Sequence, residues 1–253
     1  MPELPEVETT KNAILPFKGK TLQRVIVNNP SLRWPVDEKA INKIKEVKIL
    51  SISRRAKYIF LHLDEMTIII HLGMTGTFRI QKLGNNKTRK HDHVIFEFSK
   101  EILIFNDPRR FGSLHISKDP QDHFLIKHLG PEPLENDFNA EYLYKKIKKA
   151  GVSTKAFLMN QKNVVGIGNI YACEILFSSG ISPKRKIKYL NKNQCEEVVK
   201  NTKRIIKENK NLDLLEESDD EEEFENIKED KFVDLKKQII MKCVYRKQFN
   251  KWE

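Results

Sequence analysis

Several classes of protein are excluded by what this chain lacks. It has only three cysteines, Cys173, Cys195 and Cys243, odd in number and far apart. That pattern cannot build a disulfide framework and suits a reducing compartment, with each thiol a small buried hydrophobe. No stretch reaches the roughly 18 apolar residues of a membrane helix, so no membrane association is expected. No charged-then-apolar leader with a small-residue cleavage site opens the sequence, so an intracellular location is expected. That would be cytoplasm or nucleoid in a bacterium, and otherwise nucleus or a virus-associated setting. There is no Walker loop, no nucleophile elbow and no internal repeat. His71, His91 and His93 lack the carboxylate or cysteine partners of a familiar metal-ligand spacing, so no metal site is read there.

What is present in excess is charge. Charged residues make up 32% of the 253, and the net charge is +11. The charge is uneven: Asp213 to Asp230 holds eleven acidic residues and one lysine, and subtracting its −10 from +11 leaves +21 on the rest. A body that basic points to a polyanion, most simply nucleic acid. The length allows two modest domains, each with its own core.

The chemistry starts with Met1-Pro2-Glu3-Leu4-Pro5-Glu6. Removal of Met1 would make Pro2 a free secondary amine. An α-amino group titrates near 7.7–8.0, so a useful fraction is unprotonated at neutral pH, where it can attack an electrophilic carbon and form a Schiff base. Glu3 could pass protons beside it. The same residues also read as a helix start, with proline and acidic side chains in the first turn and Leu4, Val7 and Ile14 on one face before Pro16.

Alternation and turn residues then predict strands over Thr21–Asn28, Val47–Ser53, Tyr58–Leu63, Thr67–His71, Val94–Phe98, Ile102–Asn106 and Ser113–Ile116, with a brief helix at Asp37–Ile44 and a basic surface loop at Asn85–Lys90. Strands without regular intervening helices argue for an antiparallel sandwich or barrel. Helical spacing follows over Gln121–Leu129, Asn139–Ala150, Thr154–Gln161, Ile170–Ser178 and Lys192–Glu208. Gly130-Pro131-Glu132-Pro133 breaks the chain. The expected class is α+β: a leading helix and β-sandwich over 1–118, a linker over 119–134 and a helical domain over 135–210. An acidic segment over 211–231, read as disordered, and a short C-terminal piece over 232–253 complete the chain.

Four stretches collect functional residue types. Arg54-Arg55-Ala56-Lys57 places three cations before a strand, either as a solvated strand end or as phosphate binders. His71-Leu72-Gly73-Met74-Thr75-Gly76 presents Met74 on a glycine-flanked tip. Asn106-Asp107-Pro108-Arg109-Arg110-Phe111-Gly112 offers a second tip, where Phe111 could unstack a base step and Arg109 could bond the base left behind. In Val165-Gly166-Ile167-Gly168-Asn169-Ile170-Tyr171, Asn169 is a plausible helix cap, and the N–H groups at that helix start could cradle a phosphate.

Together and in this order, Pro-Glu-Leu-Pro-Glu-Val-Glu-Thr-Thr, Arg-Arg-Ala-Lys-Tyr, His-Leu-Gly-Met-Thr-Gly, Asp-Pro-Arg-Arg-Phe-Gly and Val-Val-Gly-Ile-Gly-Asn-Ile-Tyr-Ala resemble the formamidopyrimidine-DNA glycosylase/endonuclease VIII family. Leu4, Met74, Arg109 and Phe111 resemble its formamidopyrimidine branch, which excises oxidised purines such as 8-oxoguanine. The resemblance implies a β-sandwich followed by a helix-two-turn-helix domain, acting as a monomer on damaged double-stranded DNA. It implies a catalytic set of Pro2, Glu3, Glu6 and Lys57, DNA contacts from His91, Arg109, Lys155 and Asn169, and a base-gap wedge of Met74, Arg109 and Phe111. Lys57 and Asn169 look like the binders of the lesion's phosphate. The family's zinc finger uses two Cys-x-x-Cys pairs. Only Cys243 follows residue 200, so no zinc or other cofactor is expected. A lyase with weak base excision and a silent damage binder remain as alternatives.

Overall fold

The computed structural model describes residues 1–84, 88–212 and 231–232. The expected acidic segment and C-terminal piece fall almost entirely outside these residues, as do 85–87 of the basic loop. A leading helix, α1 (Leu4–Ile14), precedes β1 (Thr21–Val27), a short α2 (Glu38–Ile41), β2 (Lys45–Lys48), β3 (Ser51–Arg55), β4 (Tyr58–His62) and β5 (Thr67–His71). Then come β6 (Thr77–Lys82), β7 (Asp92–Phe98), β8 (Glu101–Asn106) and β9 (Ser113–Ser117). The second half is α3 (Ala140–Ile147), α4 (Thr154–Met159), α5 (Asn169–Ser178), α6 (Lys192–Leu212) and the two-residue β10 (Lys231–Phe232).

Every strand pairing is antiparallel, in a six-stranded sheet of order β10-β6-β8-β7-β1-β2 and a four-stranded sheet of order β3-β4-β5-β9. Their facing side chains, among them Leu22, Ile59, Leu61, Ile70, Phe78, Phe96 and Phe105, make one core. A second core joins the helices through Phe157, Ile167, Tyr171, Ile175 and Ile206. Helix α1 belongs to both. Its apolar face is continuous, as expected, but Leu4 packs into the helical core while Val7 and Ile14 pack into the sandwich. The first residues of the chain are thereby fixed at the junction of the two.

Two expectations are corrected and one strand is added. Val47–Ser53 is not one strand. The chain crosses between sheets at Ile49 and Leu50, whose N–H groups bond Lys20 and His62 carbonyls at 3.0 and 2.8 Å, so β2 and β3 lie in different sheets. Gln121–Leu129 is a set of turns, not a helix. Ile126 buries against Phe60 and Ile69 with Leu125 and Leu129 packed beside it, while Phe124 stays 54% exposed. The backbone closes separate turns, with the Lys127 N–H on the His123 carbonyl and the Leu129 N–H on the Ile126 carbonyl, both at 3.0 Å. Strand β6 carries Phe78-Arg79-Ile80-Gln81, and both of its central polar side chains are buried at 2% exposure, Arg79 against Asp92.

Candidate active site

Glu3 is 2% exposed, and its carboxylate receives the N–H groups of Gly168 at 2.6 Å, Ile170 at 2.8 Å and Tyr171 at 3.3 Å. It is therefore the N-terminal cap of α5, supplied from 165 residues away. This corrects the expectation for Asn169. Gly168 occupies the cap position, and Asn169 is the first helical residue, with an exposed side chain. It also corrects the expectation that these N–H groups cradle a phosphate, because a carboxylate already takes three of them. Gly168 is needed for the close approach: a Cβ there would lie 2.6 Å from the Glu3 carboxyl carbon. The Leu4 N–H bonds the Gly166 carbonyl at 3.0 Å, and the Glu3 N–H bonds Glu6 Oε2 at 2.8 Å. Glu6 Oε1 accepts the Tyr171 hydroxyl at 3.0 Å. The sequence reading did not single out Tyr171; its place two residues after Asn169 was the available signal. Burial, with Glu6 close by, holds its phenol protonated far beyond the usual range.

Lys57 completes the cluster. It sits on the tight turn between β3 and β4 beside Ala56, which is held at φ 54°. Its ammonium donates to the Ile167 carbonyl at 3.2 Å. Burial lowers its pKa, and the Glu3 and Glu6 carboxylates oppose that shift. The structure thus brings together Pro2, Glu3, Glu6, Lys57 and the start of α5. Pro2 is buried, and Met1, bonded to its nitrogen, is 54% exposed. Cleavage of that bond leaves the nitrogen at the solvent edge.

Arg54 and Arg55 do not act as free cations. Arg54 pairs with Glu8 at 2.6 Å and Glu132 at 2.9 Å, and Arg55 pairs with Glu132 at 2.8 Å. Glu132 also accepts the Ala56 N–H at 2.7 Å. Burial pushes the Glu132 and Glu8 carboxyls up, but the arginines outweigh it, and Glu8 falls to about 2. The phosphate-binding reading of these two arginines gives way to a latch joining the sandwich, α1 and the segment before the helical domain.

The two loop tips form one unit. Gly73, at φ +64°, lies so close to the other tip that a Cβ would be 2.3 Å from the Gly112 nitrogen. Asp107, fully buried, accepts the Thr75 hydroxyl and, at 2.7 Å, the Gly112 N–H. The Arg109 N–H reaches Thr75 Oγ1 at 3.2 Å. Above this base stand Met74 at 40% exposure and Phe111 at 42%, with the Arg109 guanidinium 4.7 Å from the Phe111 ring. Partly buried His91 lies below, its carbonyl accepting the Asp107 N–H at 3.0 Å. Lys155 stands apart in the first turn of α4, where its N–H bonds the Pro183 carbonyl at 3.3 Å.

His71 ties the first tip to its strand. Its Nδ1 accepts the Gly73 N–H at 3.0 Å. Burial, with Lys57 and Arg33 nearby, lowers its pKa from 6.5 to about 4. The native state thus favours neutral imidazole, so the unfolded chain takes up protons first as pH falls. The stabilisation is complete above pH 6.5 and is lost progressively toward pH 4. Urea unfolding should show a loss on the order of 2 kcal/mol between pH 7 and 4.5 that His71→Gln does not share. Equal losses in both proteins would refute this.

Among the described residues, no three His, Cys, Asp or Glu side chains converge on a metal site. Cys195 is buried on α6, where burial and Glu196 raise its thiol to about 11, and Cys173 lies partly buried on α5. Cys243 lies outside the described residues. Among the described residues, no set of side chains fits the family's zinc.

Known proteins match this arrangement along most of the chain. Residues 1–114 match the family model for the formamidopyrimidine-DNA glycosylase N-terminal domain, and residues 129–214 match that for its H2TH domain. A Klebsiella pneumoniae formamidopyrimidine-DNA glycosylase is 46% identical over 208 residues, which cover 81% of this chain and 77% of that protein. The Hydrogenovibrio crunogenus enzyme of the same name is 44% identical over 209 residues, covering 81% and 74%. The Lactococcus lactis enzyme non-covalently bound to DNA containing an abasic site superposes with a TM-score of 0.78 at 30% identity, covering 83% of this chain and 82% of that one. A Lactococcus lactis mutant bound to DNA containing a formamidopyrimidine lesion also gives 0.78 at 30% identity, covering 84% and 79%. The two family models and these relatives cover most of its length, and this chain belongs to the formamidopyrimidine-DNA glycosylase family.

Proposed function

We propose that this protein is a DNA glycosylase and AP lyase of base-excision repair that removes oxidised purines from duplex DNA. The observation that carries the reading is the Glu3 carboxylate, held by three N–H groups immediately beside the nitrogen that Met1 removal frees. In this reading the Pro2 nitrogen attacks C1′ of the damaged nucleotide and the base leaves with a proton. A Schiff base forms between proline and the opened sugar. The cationic nitrogen acidifies the adjacent C2′–H, and loss of that proton expels the 3′ phosphate; a second elimination expels the 5′ phosphate. Glu3 and Glu6 handle protons, and the Lys57 ammonium and Asn169 amide hold the lesion's phosphate. Met74, Arg109 and Phe111 fill the space of the extruded base.

Borohydride trapping tests this. The purified chain, with Met1 loss verified by intact mass, should form a covalent adduct with abasic and 8-oxoguanine duplexes. Pro2→Gly keeps a terminal amine but loses the ring that aims it, so cleavage should fall at least ~10²-fold without vanishing. Tight binding with no adduct would make the protein a damage binder, and Pro2→Gly cutting as fast as the parent would remove Pro2 from the mechanism.

A further inference from the structure

Beyond α5 the chain turns through residues 182–189, where Lys184, Arg185, Lys186 and Lys188 are all exposed. The turn is rigidly held. The Thr154 hydroxyl and N–H bond the Ser182 and Arg185 carbonyls, both at 2.8 Å, and the Ile187 N–H bonds the Val152 carbonyl at 3.1 Å. Ile187 is 1% exposed in the helical core.

Some surface cations have acidic partners, as in Lys145–Glu141 at 2.7 Å. A second basic surface on α6 lines a cavity of about 490 Å³, where Arg204 pairs with Glu208 at 3.0 Å, Lys210 with Glu8 at 3.4 Å, and Lys203 donates to the Glu135 carbonyl at 3.0 Å. Among the described residues, none of the four cations of the 182–189 turn pairs with a carboxylate. Arg185 instead donates to the Tyr189 carbonyl at 2.7 Å, and the Lys188 ammonium lies 5.2 Å from the Tyr189 ring, which is 60% exposed. Four like charges on a rigid surface repel one another unless a polyanion covers them.

The turn follows the end of α5 opposite Glu3. Ten residues at about 1.5 Å each set the two ends about 15 Å apart. At 3.4 Å per step that length matches roughly four base-pair steps.

We propose that residues Lys184 to Lys188 form a second phosphate-binding surface, which grips the duplex flanking the lesion and contributes affinity without entering the chemistry. It rests on the glycosylase and lyase reading above, and Lys155 borders it. The test compares the parent with a Lys184→Gln, Lys186→Gln, Lys188→Gln triple variant and the matching arginine triple. Each binds a duplex with a tetrahydrofuran abasic analogue and a full helical turn on either side, over a range of salt. The glutamine triple should flatten the slope of log K against log salt by about 2–3, since each lost phosphate contact removes about 0.9. An undamaged duplex should show the same flattening, because phosphate contacts carry no lesion information. The arginine triple should keep the parent's slope, and single-turnover cleavage at saturating enzyme should stay within about twofold for all three. Lys184→Gln alone should flatten the slope by about 1, which covers the case of a triple that folds poorly. Parental slopes in both glutamine variants overturn the proposal, as does a slope lost equally in the arginine triple. A parent that gives no borohydride adduct defeats the enzymatic reading instead, whatever the slopes.

Discussion

Glu3→Ala is expected to weaken the fold and abolish base excision together. The carboxylate accepts three N–H groups at the start of α5, and those of Gly168 and Tyr171 are buried. Alanine leaves them without an acceptor, at ~1–3 kcal/mol for each buried group. The summed cost is on the order of 3 kcal/mol, or a fall in Tm of about 6–12 °C for a chain of this size. Proton transfer at the damaged nucleotide is lost as well, a factor of ~10²–10⁴. Glu3→Gln separates the two effects. Its amide keeps one acceptor oxygen and the side-chain volume, so about half the stability loss should return while excision of 8-oxoguanine stays at least ~10²-fold slow. The same variant should still trap on a pre-formed abasic site, where no base has to leave. Parental melting and parental excision in Glu3→Gln would show that this carboxylate neither caps nor catalyses.

The second large effect is expected at Gly73, whose N–H bonds His71 Nδ1 at the base of the first loop tip. Alanine there must adopt φ +64°, at ~1–2 kcal/mol for an L residue. Its Cβ would also stand 2.3 Å from both the Gly112 nitrogen and the Phe111 carbonyl carbon. These are backbone atoms, and no rotamer change relieves the overlap. The tips must separate, breaking the contacts of Thr75 with Asp107 and with the Arg109 N–H. Met74 and Phe111 would then no longer stand in register, and the preference for a lesion duplex over an undamaged one should fall at least ~10-fold. Cleavage of a single-stranded abasic site, which needs no base extruded from a stack, should change little. Gly151→Ala is the control, because its Cβ would meet nothing within 4 Å. An unchanged lesion preference in Gly73→Ala would mean that the two tips act independently.

The parts of the site that could be read from sequence are those whose chemistry is local. An N-terminal proline beside a glutamate, a glycine-flanked methionine and an arginine two residues before a phenylalanine carry their meaning within a few residues. Arg54 and Arg55 could not be read in that way. A cation before a strand looks the same whether its counter-ion is a phosphate or Glu132, 78 residues from Arg54. Asn169 misled for a related reason. Asparagine at a helix start is an ordinary cap, and nothing nearby says that a glutamate 165 residues earlier in the chain has taken those N–H groups.

The sequence alone determined most of the strands, the helical second half and the exposure of Met74 and Phe111 on their loop tips, because each depends on side-chain periodicity or turn geometry. The tertiary structure decided what those groups do to one another. It splits the α1 face between two cores, turns Glu3 into the cap of α5 and converts two arginines from candidate phosphate ligands into a latch. Charges and hydrogen-bond donors find partners through space, and the choice among partners is settled by which surfaces the packing of the cores brings within about 3 Å.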